Sequence, residues 1–207
     1  MESIEDLQFD GVYGKYTITL KDKKEVQLYR FSVLLCGTAF FIGLMQWILI
    51  GPGMAWIWLI TMSIGLGLSL NWIHIYLRPL HKMLQFFWVA GFIGLIILSF
   101  YFGPKNLLSS LNNHSLFTLA IGPLFAALTG LGFKEFFCFR RPEAIGLTIL
   151  VPCALLGHLS QLLKGEAVMT LLLISSFLLL TLALRKFGMD AGADVGDKSV
   201  FEYLDNN

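Results

Sequence analysis

The chain has 207 residues, 56% of them hydrophobic and only 14% charged, with a formal net charge of +1. A soluble domain of this size carries roughly 25% charged residues, so the composition excludes an ordinary soluble globule, and the near-neutral balance offers no cationic footprint for nucleic acid. A mean hydropathy of +0.71 and 18 Phe place the chain among membrane proteins.

Residues 1–30 form a polar head with six acids. A signal peptide starts short and basic, so the head is expected to stay on the side where it is made. Tyr16, Ile18 and Leu20 alternate with Thr17 and Thr19, a strand pattern. The run KDKK at 21–24 reads as a turn, with Val26 and Leu28 forming either a second strand or the lead-in to a helix. A lone hairpin is marginal in water, so this candidate hairpin would rest on the membrane surface or a partner.

Six apolar runs follow, at 31–50, 54–76, 84–102, 116–133, 143–163 and 167–184. Each is close to the ~20 residues that cross a hydrocarbon core. Helix is the form that satisfies the backbone there. The predicted fold class is an all-α membrane protein: a six-helix transmembrane bundle with a short polar N-terminal segment. Its parts are the head at 1–30, the bundle at 31–184 and an acidic, mobile tail at 185–207. Connections are short, the longest being a loop at 103–115. Gly51, Pro52 and Gly53 make a tight turn, and Arg78 with Pro79 separates the second run from the third.

Lys and Arg set the orientation. The terminal side holds five in the head, Arg78 and Lys82, then Lys134, Arg140 and Arg141, and three in the tail, thirteen in all. The opposite side holds Lys105 and Lys164. This bias predicts an even number of spans with both termini on the cytoplasmic or stromal side. Trp47, Trp56 and Trp58 are expected at the outer interface, Trp72 and Tyr76 at the inner one. Small residues recur at helix-packing spacings: Ser63 with Gly67, Gly65 with Ser69, Ala126 with Gly130, Cys153 with Gly157. Cys36, Cys138 and Cys153 form no CxxC and give no disulfide framework or metal spacing.

The densest polar stretch is GFKEFFCFRRPE at 132–143, with five charges and four Phe in twelve residues. Arg140 and Arg141 read as topology determinants and lipid-phosphate anchors. Pro142 and Glu143 suit a helix start. Glu135 either turns into the bundle toward Lys134, Arg140 or Arg141, or snorkels to the surface. Together Lys134, Glu135, Arg140 and Arg141 form a candidate interaction surface. His158 and Gln161 form a candidate intramembrane polar site. Pro152 and Pro123 free backbone acceptors in neighbouring helices, and the resulting kinks could enclose a polar cavity. Asn71, His74 and Arg78 line one face of the second run near the inner surface. His74 and His158 lie at different depths, so no haem pair forms, and no cofactor or metal is expected.

The stretch GFKEFFCFRRPEAIGLTILVPCALL at 132–156, with Tyr29-Arg30-Phe31 at the start of the first span, resembles a family of uncharacterised integral membrane proteins, domain of unknown function 2301, from cyanobacteria and plastids. The resemblance implies a thylakoid or plasma membrane location and a bioenergetic complex as a partner worth testing. It transfers no active-site residue. Three functions remain open. The first is a non-enzymatic interaction or assembly factor for a larger membrane complex, docking through 134–141. The alternative is a small-solute transporter or channel with its site near His158. A membrane enzyme ranks last, because the polar residues lack a catalytic spacing.

Overall fold

The computed structural model describes residues 7–75, 77–200 and 203. Tyr76 and most of the apolar patch at 200–204 lie outside the described residues.

Two short strands, β1 (Leu7–Gly11) and β2 (Gly14–Ile18), pair antiparallel, with Phe9 opposite Tyr16 and Gly11 opposite Gly14. The hairpin exists, but its partner strand precedes Tyr16 and the turn lies at Val12 and Tyr13. The KDKK run belongs instead to the first turn of α1 (Leu20–Leu49). The reason is local. Thr19 accepts the backbone N–H of Asp22 and the Asp22 carboxylate accepts the N–H of Thr19, a reciprocal cap that starts a helix at Leu20. At 30 residues and ~1.5 Å per residue, α1 is roughly 45 Å long. Its first third therefore projects beyond the hydrocarbon.

After a 3-10 turn at Pro52–Met54 come α2 (Trp56–Trp72), α3 (Arg78–Phe102), α4 (Pro104–Asn113), α5 (Thr118–Phe139), α6 (Pro142–Leu159) and α7 (Gly165–Lys186), with a short α8 (Ala191–Val195) in the tail. Proline opens α3, α4 and α6, where a missing N–H costs nothing. Five stretches are long and apolar enough to cross a membrane, and α2 follows at 17 residues. α2 stops short because the chain leaves helix at Ile73. The carbonyl of Leu70 near its end is met by His81 Nε2 at 2.6 Å and by Gln85 Nε2 at 3.4 Å, both from α3.

The six membrane helices close a ring in the order α1, α2, α3, α5, α6, α7, each packed on the next, with α7 returning to α1. The shared core runs through Val33, Met62, Leu66, Leu95, Leu128 and Leu179. The outward faces are apolar as well: Ile97, Phe100, Leu119, Phe137 and Phe177 are all exposed, the pattern expected where lipid is the solvent. The predicted loop at 103–115 is largely helix. Leu107, Leu108 and Leu111 form the buried face of α4, which lies against the Pro52–Met54 turn and closes the end of the bundle opposite the termini. Pro123 and Pro152 sit inside α5 and α6, which continue through them.

The tail, predicted to be mobile, packs instead against the hairpin and the base of α1. Val195 joins Ile18 and Val26 in a small second core, and Asp194 is buried. Lys198 Nζ reaches the carbonyl of Thr17 and the Asp22 carboxylate.

Candidate functional site

At the terminal end, helix ends from α1, α5, α7 and α8 bring five charges together out of water. Glu135 of α5, with 0% exposure, accepts on Oε1 from the Tyr29 hydroxyl at 2.6 Å and from Lys134 Nζ at 3.2 Å, and on Oε2 from Lys186 Nζ at 2.7 Å. Lys186 also donates to Asp194 Oδ1 at 2.6 Å. The other Asp194 oxygen takes the Arg30 guanidinium at 2.7 and 2.8 Å. Arg30 also donates to the carbonyls of Met189 and Asp190. Both ammonium groups also lie over the rings of Tyr29 and Phe139, at 4.7 to 5.4 Å from the centroids.

This ladder counts three cations (Arg30, Lys134, Lys186) and two anions (Glu135, Asp194). Each carboxylate oxygen meets a cation, so both acids are engaged in pairing. The arrangement is a clamp between the tail and three membrane helices. A second clamp joins α6 to α7: Glu143 accepts from Arg185 at 2.9 and 3.0 Å and from Arg141 at 3.3 Å.

The expected interaction surface is therefore corrected in part. Lys134 and Glu135 are interior, because Glu135 finds Lys186 and Tyr29 as well as Lys134. Arg140 stays exposed at the α5 terminus with left-handed φ of 49°. Arg141 is held by Glu143. The sequence missed Arg30, Lys186 and Asp194 as members of the ladder.

The inner-face trio is not assembled either. α2 ends before His74, Asn71 is exposed, and Arg78 opens α3. His74 lies 3.7 Å from Glu25 instead. Burial holds the His74 imidazole below its usual value, against the pull of the Glu25 carboxylate. Ligand atoms of Asp22, Glu25 and His74 lie within 4.8 Å of one another, a spacing that suits a cation. One oxygen of the Asp22 carboxylate, Oδ2, is shared by the Thr19 cap and by the Lys198 ammonium at 2.9 Å.

The opposite end holds a cavity of ≈ 110 Å³ among α1, α2, α4, α5, α6 and α7. Its walls are mainly apolar and aromatic, Phe40, Trp47, Trp58 and Phe125 among them, with His158, Asn112 and Thr118 as polar points. Trp47, Asn112, Gly165 and Met169 are shared with a wider vestibule of ≈ 680 Å³ that also meets Lys164 and Glu166. The two spaces therefore adjoin along these residues, beside the α6–α7 connection. His158 lines it, with Nε2 3.0 Å from the carbonyl of Leu111. Gln161 is not a wall residue. It sits at φ 59° in the connection, its Nε2 3.3 Å from Ser115 Oγ. Pro123 and Pro152 do not line the cavity, which is apolar rather than the polar space the two prolines predicted.

A ring of long apolar helices, with charge paired at one end and lipid-facing hydrophobic surface outside, defines a polytopic integral membrane protein. Residues 68–203 match the family model described as uncharacterized integral membrane protein (DUF2301), and the chain belongs to that family. It is similar to an uncharacterized protein of Haemophilus influenzae, 34% identical over 130 residues, covering 63% of this chain and 66% of the relative, just under two thirds of the latter. That relative is neither cyanobacterial nor from a plastid. No solved structure matches.

Proposed function

We propose that the protein binds, and carries, a small neutral molecule in the cavity beside His158. The observation that supports this is an apolar cavity with a few convergent polar groups, adjoining a wider vestibule, the usual form of a small-molecule site. The excess of Lys and Arg at the terminal end favours termini in the cytoplasm, so the vestibule would open outward. A plasma membrane location fits this reading and the bacterial relative, with a thylakoid membrane as the counterpart in a photosynthetic cell. No catalytic role is proposed.

The test uses the full chain in lipid nanodiscs and bromobenzene as a ring-sized tryptophan quencher. Trp47 and Trp58 line the cavity, so a saturable quenching component is expected on top of the linear part from lipid partitioning. Asn112→Phe at the mouth and Thr118→Phe inside should remove it. Purely linear quenching, the same in all three proteins, would overturn the reading.

A second reading, docking to a larger membrane complex, is supported by Phe137 and Arg140, both exposed at the terminal end of α5. Arg140→Glu should then strip a stoichiometric partner from the protein extracted in mild detergent. A chain that purifies identically in both forms would sink it.

A further inference from the structure

The cavity wall carries a directional signal in His158. Nε2 of that ring lies 3.0 Å from the Leu111 carbonyl oxygen, and a carbonyl only accepts. Leu111 belongs to the last turn of α4, where backbone carbonyls have no partner within the helix, so this bond answers an unmet acceptor. The contact fixes the tautomer with the proton on Nε2. In a singly protonated ring Nδ1 is then a lone-pair acceptor, and no protein donor meets it among the described residues.

His158 is a wall residue of the cavity, and an apolar occupant packed against its Nδ1 would leave that acceptor dry. Burying a polar atom without its partner is unfavourable, so the cavity discriminates in favour of a ligand that donates. The other walls set the body of such a ligand. Engineered apolar cavities of about 150 Å³ hold a benzene ring. The ≈ 110 Å³ here therefore suits one ring seated against Phe40, Trp47, Trp58 and Phe125 and reaching into the mouth. The vestibule beyond leaves room for a substituent on the far side of the ring.

We propose that the cavity takes a neutral hydroxylated aromatic ring, its O–H donating to His158 Nδ1. The inference rests on the small-molecule reading above and narrows it. A phenol satisfies the wall, whereas its methyl ether has the same ring and no proton to give. The fixed tautomer cannot turn around to serve an acceptor ligand without losing the Leu111 bond.

The experiment compares phenol and anisole at pH 8, as competitors of the saturable bromobenzene quenching in nanodiscs. Phenol should compete about tenfold better than anisole, the scale of one hydrogen bond to an otherwise unpaired group. The preference should vanish in His158→Phe. In ¹⁵N-histidine spectra of the native chain, phenol and not anisole should move the His158 Nδ1 resonance, a direct reading of the bond that works even if the variant folds poorly. Equal competition by the two probes with an unmoved Nδ1 signal overturns the ligand class and leaves the cavity reading standing. Absence of any saturable quenching overturns both.

Discussion

Glu135 is the residue on which the terminal end depends. Three cations share the space with two carboxylates, so neutralising one anion leaves two ammonium groups and a guanidinium facing Asp194 alone. Breaking a buried pair by removing one partner costs about 3–5 kcal/mol, and Glu135→Gln should lose stability on that scale in a denaturant titration of the detergent-solubilised chain. Adding Lys134→Met to that variant removes a stranded charge and should recover part of the loss. A double variant less stable than Glu135→Gln alone would show that Lys134 acts through packing over Tyr29 and Phe139 rather than through charge. Lys134 and Glu135 stood out in the sequence because they are charges at the edge of an apolar run. Their surroundings did not. Lys186 is 51 positions from Glu135, and Asp194 is 164 positions from Arg30. A lysine ending the last run reads as an ordinary interfacial anchor, and nothing local to it marks a buried partner. His158 was legible for a similar reason, as an isolated polar residue in an apolar run, while the apolar character of its cavity came from walls on six helices.

At the scale of elements, the six runs were readable because lipid demands length and continuous apolarity, and both are visible in one dimension. α4 was not, since its apolar residues occupy one face of a polar decamer and help close an end instead of crossing. The start of α1 was hidden by its own charge. KDKK looks like a turn until the Thr19–Asp22 cap is recognised, and that cap is a four-residue pattern present in the sequence. Small residues were a mixed guide. Gly65 does lie against the backbone of α1 at Cys36, whereas Ala126 and Cys153 are exposed. The tightest crossing is elsewhere: a methyl group at Gly91 or Gly94 would overlap the α5 backbone at Leu124 or Ala120. Spacing alone marks pairs of small residues without saying which side of the helix meets protein and which meets lipid, because both sides are apolar. The same ambiguity left Trp47 and Trp58 as interfacial anchors in the sequence, although they wall the cavity.

For the whole molecule, the two termini form one unit, and this is what lets a two-stranded hairpin persist. The tail supplies Val195 to its apolar side and polar anchors to its turn. Asp197 accepts the backbone N–H of Val12 at 2.7 Å, and Ser199 Oγ accepts that of Tyr13 at 3.1 Å. Tyr203 stacks on Tyr13 with centroids 4.1 Å apart. Gly11 leaves the space that the Asp197 carboxylate fills. The hydrogen bonds from the Ser199 hydroxyl and then from the Val12 N–H hold the Asp197 carboxyl below its ordinary value of 3.8. A lowered value in the docked state means that the undocked tail takes up a proton more readily. The contribution of Asp197 to docking is therefore complete above pH 3.8 and is lost as the pH falls through the lowered value. Asp197→Asn should weaken docking at neutral pH by removing the charge without acid. The readout is hydrogen-exchange protection of the Val12 and Tyr13 amides, corrected for intrinsic exchange at each pH. Protection should drop in acid in the native chain and be low throughout in Asp197→Asn. The ladder around Glu135 should keep the bundle assembled meanwhile, because Arg30 and Asp194 anchor the tail at a separate point. Unchanged protection in Asp197→Asn would transfer the docking to Val195 and the Tyr13–Tyr203 stack, and the hairpin would then be held by apolar contact alone.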